Sequence, residues 1–169
     1  QVMWVLVSLP VLIGISMLPA HVARRGAVVG AAAFGVMLLL VLIPGVGVEV
    51  NGAKRWVGFG FAQFQPSEFL KPCFVVTVAW LLSFKSRDAE LPVTAITAAL
   101  TGVIAMLLML QPDFGQTVIF CIIWLALVTI AGTPTRVILG FLSMVPVALV
   151  AAYLFYSTAR KRIDAFLFP

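Results

Sequence analysis

The sequence predicts an all-α fold, a polytopic transmembrane helix bundle, and three observations predict it. Of its 169 residues, 63% are hydrophobic and only 10% are charged. A soluble domain carries about a quarter of its residues as Asp, Glu, Lys or Arg and cannot cover itself with so little polar surface. Long apolar runs without any ionisable residue recur along the chain, and the ionisable residues gather at their ends. The net charge of +5, from 11 basic and 6 acidic residues, forms no basic stripe, which argues against nucleic acid as a partner. Cys73 and Cys121 lie inside apolar runs and read as small hydrophobes, so neither a disulfide nor a metal cluster is expected.

Residues 1–20, 26–48, 91–112, 114–135 and 137–159 contain no Asp, Glu, Lys, Arg or His, giving runs of 20, 23, 22, 22 and 23 residues. A helix needs about 20 residues to cross the hydrocarbon core. Five spans follow directly. Residues 72–84 supply 13 more uncharged residues and reach spanning length if the helix begins near Pro66 and carries Glu68 and Lys71 in its first turns. The expected spans are therefore about 1–20, 26–47, 66–84, 91–111, 114–133 and 136–157, in a single membrane domain. A motif loop occupies 48–65, and 158–169 begins a further loop. Because the chain opens at Gln1 within an apolar run and closes at Phe168-Pro169 after a charged stretch, it reads as an internal piece of a longer protein.

Alternate crossing sorts the connections onto two faces. Residues 21–25, 85–90 and 133–136 share one; residues 49–65, the turn Gln111-Pro112-Asp113 and the tail from Ser157 share the other. The basic residues divide five to six between them, so the positive-inside rule does not orient the chain. A cation-rich second face then suggests another use, such as binding an anion.

Each polar motif on that face has a plain and a functional reading. Lys54-Arg55, after the Asn51-Gly52 turn signal, either touches lipid headgroups from an interfacial hairpin or binds a phosphate or pyrophosphate. Gln65-Pro66-Ser67-Glu68 is a good helix start, but it leaves Lys71 inside the hydrophobic zone, where a Glu68–Lys71 pair at i, i+3 would compensate it. Asp113 separates two apolar runs and is either an N-cap or part of a polar cavity shared with Lys54, Arg55, Glu68 and Lys71. Arg160, Lys161 and Arg162 close the last span, ordinarily as a solvated helix end.

In order, Asn-Gly-Ala-Lys-Arg-Trp (51–56), Gln-Pro-Ser-Glu-Phe-x-Lys (65–71), Gln-Pro-Asp-Phe-Gly (111–115) and Arg-x-Arg-Ile-x-x-Phe-x-x-Pro (160–169) resemble the FtsW/RodA family, known as SEDS. The wording of the second and third motifs is closer to its division branch than to its elongation branch. The resemblance covers the whole chain and implies a ten-span bacterial inner-membrane protein of which six spans, the second to the seventh, are present. It implies a peptidoglycan glycosyltransferase that polymerises lipid II during septal cell-wall synthesis, with the motif loops extracytoplasmic. It further implies a class B penicillin-binding transpeptidase and other divisome membrane proteins as partners within the lipid bilayer. The family's presumed catalytic aspartate falls after Pro169, so no catalytic residue is expected here and Asp113 is not the catalytic base.

On this resemblance, Lys54, Arg55 and Lys71 contact the pyrophosphate. Glu68 positions Lys71, Asp113 shapes the cavity floor or pairs a cation, and Arg160 and Arg162 offer loop contacts. No cofactor is expected; a divalent cation would suit a pyrophosphate, but no ligand set for one is legible. A flippase of the same lipid-linked precursor, or a division scaffold without catalysis, are the alternative functions.

Overall fold

A computed structural model describes residues 9–10, 12–43, 45–50, 53–59, 62–86, 91–155, 160 and 164. Among the described residues, five long helices carry the fold: α1 (Ala20–Val41), α2 (Pro66–Ser83), α3 (Val93–Leu110), α4 (Phe114–Ile130) and α5 (Thr135–Phe155). Ahead of them, residues 12–16 are helical. The helices form a polytopic membrane bundle. α1 and α3 are long enough and apolar enough to cross a bilayer, with mean hydropathies of 1.7 and 2.3. Large side chains such as Val29, Val103, Met106 and Ile130 stand on the outside of the bundle, an apolar surface that lipid tolerates and water does not.

The helix boundaries differ from the charge-free runs in two places. Residues 21–25 are not a connection: α1 starts at Ala20, directly after Pro19, and takes His21, Arg24 and Arg25 into its opening turns. Proline supplies no amide hydrogen, and the first amides of a helix need no internal partner, so a helix start beside Pro19 loses nothing. Arg24 then lies over the Trp80 ring, 5.4 Å from its centroid, which lets a cation rest at the membrane boundary. At its other end α1 stops at Val41, ahead of a small sheet whose first strand begins at Val48.

That sheet is a three-stranded antiparallel meander, β1 (Val48–Val50), β2 (Ala53–Phe59) and β3 (Ala62–Phe64), in the order β1-β2-β3. The Asn51-Gly52 turn signal lies outside the described residues. Val48 pairs with Trp56 and Glu49 with Lys54, so Arg55 is the extra residue of a β-bulge. Bulges bend a strand and re-aim a side chain. Phe64 packs edge-on against Phe69, and Phe69 stacks on Phe34, both with centroids 5.6 Å apart; these rings seat the sheet on α2 and α1.

The core lies where α1 to α4 meet, with Leu38, Leu70, Phe74, Val78, Leu108 and Phe120 buried together. Phe74 and Phe120 meet edge-to-face at 5.0 Å, an arrangement the aromatic quadrupole favours. The buried Trp124 indole donates to Thr97 Oγ1 at 3.1 Å, joining α4 to α3 by a hydrogen bond at membrane depth. Gly132, at φ +67°, ends α4 in a Schellman turn, with its N–H on Thr129 O and the Thr133 N–H on Val128 O. α1 and α2 approach closely at Gly30, where an added Cβ would sit 2.7 Å from Cys73 Sγ. Small residues at such crossings permit helix contact in lipid. Gly30→Val is therefore expected to lower thermal stability in detergent by on the order of 1–3 kcal/mol, and Cys73→Ala in the same background to recover part of the loss.

Candidate functional site

The polar groups of the bundle collect at its two ends. At one end lie Arg24 with Trp80, and Lys85, whose Nζ donates to Thr133 Oγ1 at 2.9 Å. The other end is formed by the bulge of β2, the start of α2, the end of α3 and the start of α4.

At this second end, the turn 111–113 between α3 and α4 is the junction. Asp113 is 3% exposed and its carboxylate is engaged on both oxygens. Oδ1 pairs with Arg55 Nη1 at 3.4 Å and accepts the Gln116 N–H at 3.5 Å, while Oδ2 accepts from Gln65 Nε2 at 2.8 Å. Arg55 Nη2 also donates to Pro112 O at 2.9 Å. The N-cap reading of Asp113 holds, since its carboxylate accepts from the first turn of α4, and the same carboxylate pairs with Arg55. Gln111 Nε2 donates to Leu38 O at 2.7 Å, capping the last turn of α1, whose closing amide bonds turn inward to Leu39.

A second pair sits beside the first. Lys71 Nζ lies 2.7 Å from Glu68 Oε2 across one turn of α2. Glu68 Oε1 accepts from Gln116 Nε2 at 2.5 Å. Gln116 therefore touches both carboxylates, its backbone amide on Asp113 and its side chain on Glu68. The two pairs differ in access: the Asp113 side chain is 4% exposed, those of Arg55 and Lys71 21% and 23%, and that of Glu68 49%. Asp113 can hold a structure together but has no oxygen free to take a proton from a substrate. Glu68 is half exposed and can meet one, with the partly exposed Lys71 beside it.

The structure thus brings Arg55, Glu68, Lys71 and Asp113 together. Lys54 is described by its backbone, next to Arg55 in β2 and opposite Glu49. Arg160 has a different partner: its guanidinium covers the Tyr153 ring at 5.0 Å, and the Tyr153 hydroxyl donates to Asp164 at 3.2 Å. Arg162 lies outside the described residues. Among the described residues no group of His, Cys, Asp and Glu could hold a metal ion. Sequence reasoning passed over Gln65, Gln111 and Gln116. Their signal is present in the motifs, since an amide is costly at a membrane boundary unless bonded, but nothing in the spacing says which groups they join.

A cavity of about 430 Å³ lies between α3, α4 and α5, from Phe114 at the start of α4 to the middle of the helices, and none of the charged residues of the polar end lines it. Its wall is apolar and includes Phe114, Thr117, Trp124 and Phe141.

The family model described as the cell cycle protein family FtsW/RodA/SpoVE matches residues 1–169. The chain belongs to this family. Among its relatives, the probable peptidoglycan glycosyltransferase FtsW of Mycobacterium tuberculosis is 39% identical over 166 residues, which are 97% of this chain and 31% of that protein. The corresponding protein of Halorhodospira halophila is 35% identical, covering all of this chain and 43% of the relative. Among solved structures of the family, Thermus thermophilus rod shape determining protein RodA superposes with a TM-score of 0.66 at 30% identity, over 80% of this chain and 44% of that one. A structure described as a peptidoglycan synthase complex that coordinates polymerization and crosslinking gives a TM-score of 0.72 at 28% identity, over 90% and 45%. The chain spans about a third of the length of the curated FtsW relatives with which it aligns. Within this FtsW/RodA/SpoVE frame, the Asp113 junction makes a direct structural forecast. Arg55→Ala strands a buried carboxylate and is expected to cost about 3 kcal/mol of stability. Asp113→Asn in the same protein adds less than its separate cost, as thermal unfolding of the single and double variants in detergent will show.

Proposed function

We propose that the protein to which this chain belongs is a peptidoglycan glycosyltransferase acting on lipid II in septal wall synthesis. Its motif end would face outward from the bacterial inner membrane, alongside a class B penicillin-binding transpeptidase and other divisome membrane proteins. The observation that carries the reading is a partly exposed ammonium, Lys71, held by Glu68 at the polar end of a bundle that also contains an apolar cavity between α3, α4 and α5. An amphiphile with a pyrophosphate head and an isoprenoid tail needs that combination. The family membership and the names of the FtsW relatives support the same activity, and the peptidoglycan synthase complex supports the partner.

In the reaction a sugar hydroxyl oxygen bonds to the anomeric carbon of the donor as the bond from that carbon to the lipid pyrophosphate breaks. The hydroxyl proton passes to a carboxylate and the bonding electron pair leaves with the pyrophosphate. Asp113 is spent on Arg55, Gln65 and Gln116, and the resemblance to the family implies a catalytic aspartate that falls after Pro169. This chain contributes charge stabilisation: Lys71 meets the developing negative charge on the leaving group, and Lys54 and Arg55 of β2 add positive charge toward it. Arg55 has a second duty, since two of its nitrogens clamp the sheet to the 111–113 turn. A divalent cation, if used, would be held chiefly by the pyrophosphate.

Purified intact protein given lipid II in detergent should form glycan polymer. Lys71→Ala should slow it about 100-fold, the scale of losing one preorganised charge-stabilising group, with melting temperature unchanged. Polymerisation at the parental rate in that variant would remove Lys71 from the site.

A further inference from the structure

Lys71 is aligned through a chain of contacts that begins on another helix. Glu68 is half exposed, and an exposed Glu–Lys pair on one helix is weak and interchanges among rotamers. Here one carboxylate oxygen is fixed from α4 by the Gln116 amide, leaving the other to Lys71. Gln116 itself is immobilised, since its backbone N–H caps on Asp113, and Asp113 is locked by Arg55 and Gln65. The side-chain oxygen of Gln116 is buried without a partner. That is a cost in free energy, and it is borne by the orientation that turns the amide hydrogens toward Glu68.

We infer that Gln116 is a positioning residue that transmits the rigidity of the buried Arg55–Asp113 junction to the exposed Glu68–Lys71 pair, and so sets where the Lys71 ammonium meets its anionic ligand. The inference rests on the proposed role of Lys71 for its consequence in turnover, but the alignment of Lys71 by Gln116 stands or falls separately. Sequence separation hides the link: Gln116 and Glu68 are 48 positions apart and join only because α2 and α4 start at the same end of the bundle.

Two measurements on the intact protein in detergent test it. The first does not depend on activity. Acylation of Lys71 by a small activated ester, followed by mass spectrometry, should accelerate roughly twofold or more in Gln116→Leu, because a pair released from its anchor spends more time apart. Glu68→Gln should accelerate it to a similar extent, and combining the two should add nothing. The same labelling rate in Gln116→Leu as in the parent overturns the inference, whether or not the protein polymerises lipid II. The second is kinetic. Gln116→Leu should lower kcat for lipid II polymerisation by about tenfold, the scale of a hydrogen bond to a charged group, with a smaller change in KM. Glu68→Ala should abolish any further effect of Gln116→Leu. Losses that multiply in the double variant would mean that Gln116 acts on the fold and not through Glu68. Altered labelling without polymerisation by the parent would sustain the alignment and reject the proposed activity.

Discussion

A carboxylate buried at the end of an apolar bundle has to be compensated on both oxygens, and the arrangement of this molecule follows from how Asp113 meets that demand. Its partners come from three places: a guanidinium from a strand bulge, an amide from the residue before α2, and the first turn of α4. Each partner is brought there by a different connection of the chain. The neighbouring Gln111 reaches a fourth, the end of α1. A single short turn thereby fixes the relative heights of four helices and the seat of the sheet.

Elsewhere the bundle is held by weaker and more distributed means. Apolar side chains gain little from facing each other instead of lipid, so close packing and scattered polar contacts decide which helix faces meet. The Gly30–Cys73 approach and the Trp124–Thr97 hydrogen bond are of this kind. α5 is joined more sparingly, through Phe141 against Trp124 with centroids 4.7 Å apart, and the apolar cavity lies along that seam.

The polar end divides its labour by exposure. The buried carboxylate of Asp113 is engaged on both oxygens and serves architecture; the half-exposed Glu68 and its partner Lys71 keep bonding capacity for a ligand. Charge alone does not separate these roles, since each pair consists of one cation and one carboxylate. What separates them is desolvation, which makes an unpaired Asp113 expensive and an unpaired Glu68 cheap.

The sequence by itself determined the membrane class, the approximate helices and the motif residues Arg55, Glu68, Lys71 and Asp113, because uncharged length and isolated charges in apolar surroundings are one-dimensional properties governed by the bilayer. It also contained the i, i+3 relation of Glu68 to Lys71, which any helix imposes. Only the tertiary structure decided that residues 48–50, 53–59 and 62–64 pair as a sheet with Arg55 in a bulge, that α1 begins at Ala20, and that Gln65, Gln111 and Gln116 bind the motifs together. The glutamine contacts span 48 to 73 positions of the chain. No local periodicity encodes such distances; they are chosen by which helix ends the packed bundle brings to the same height.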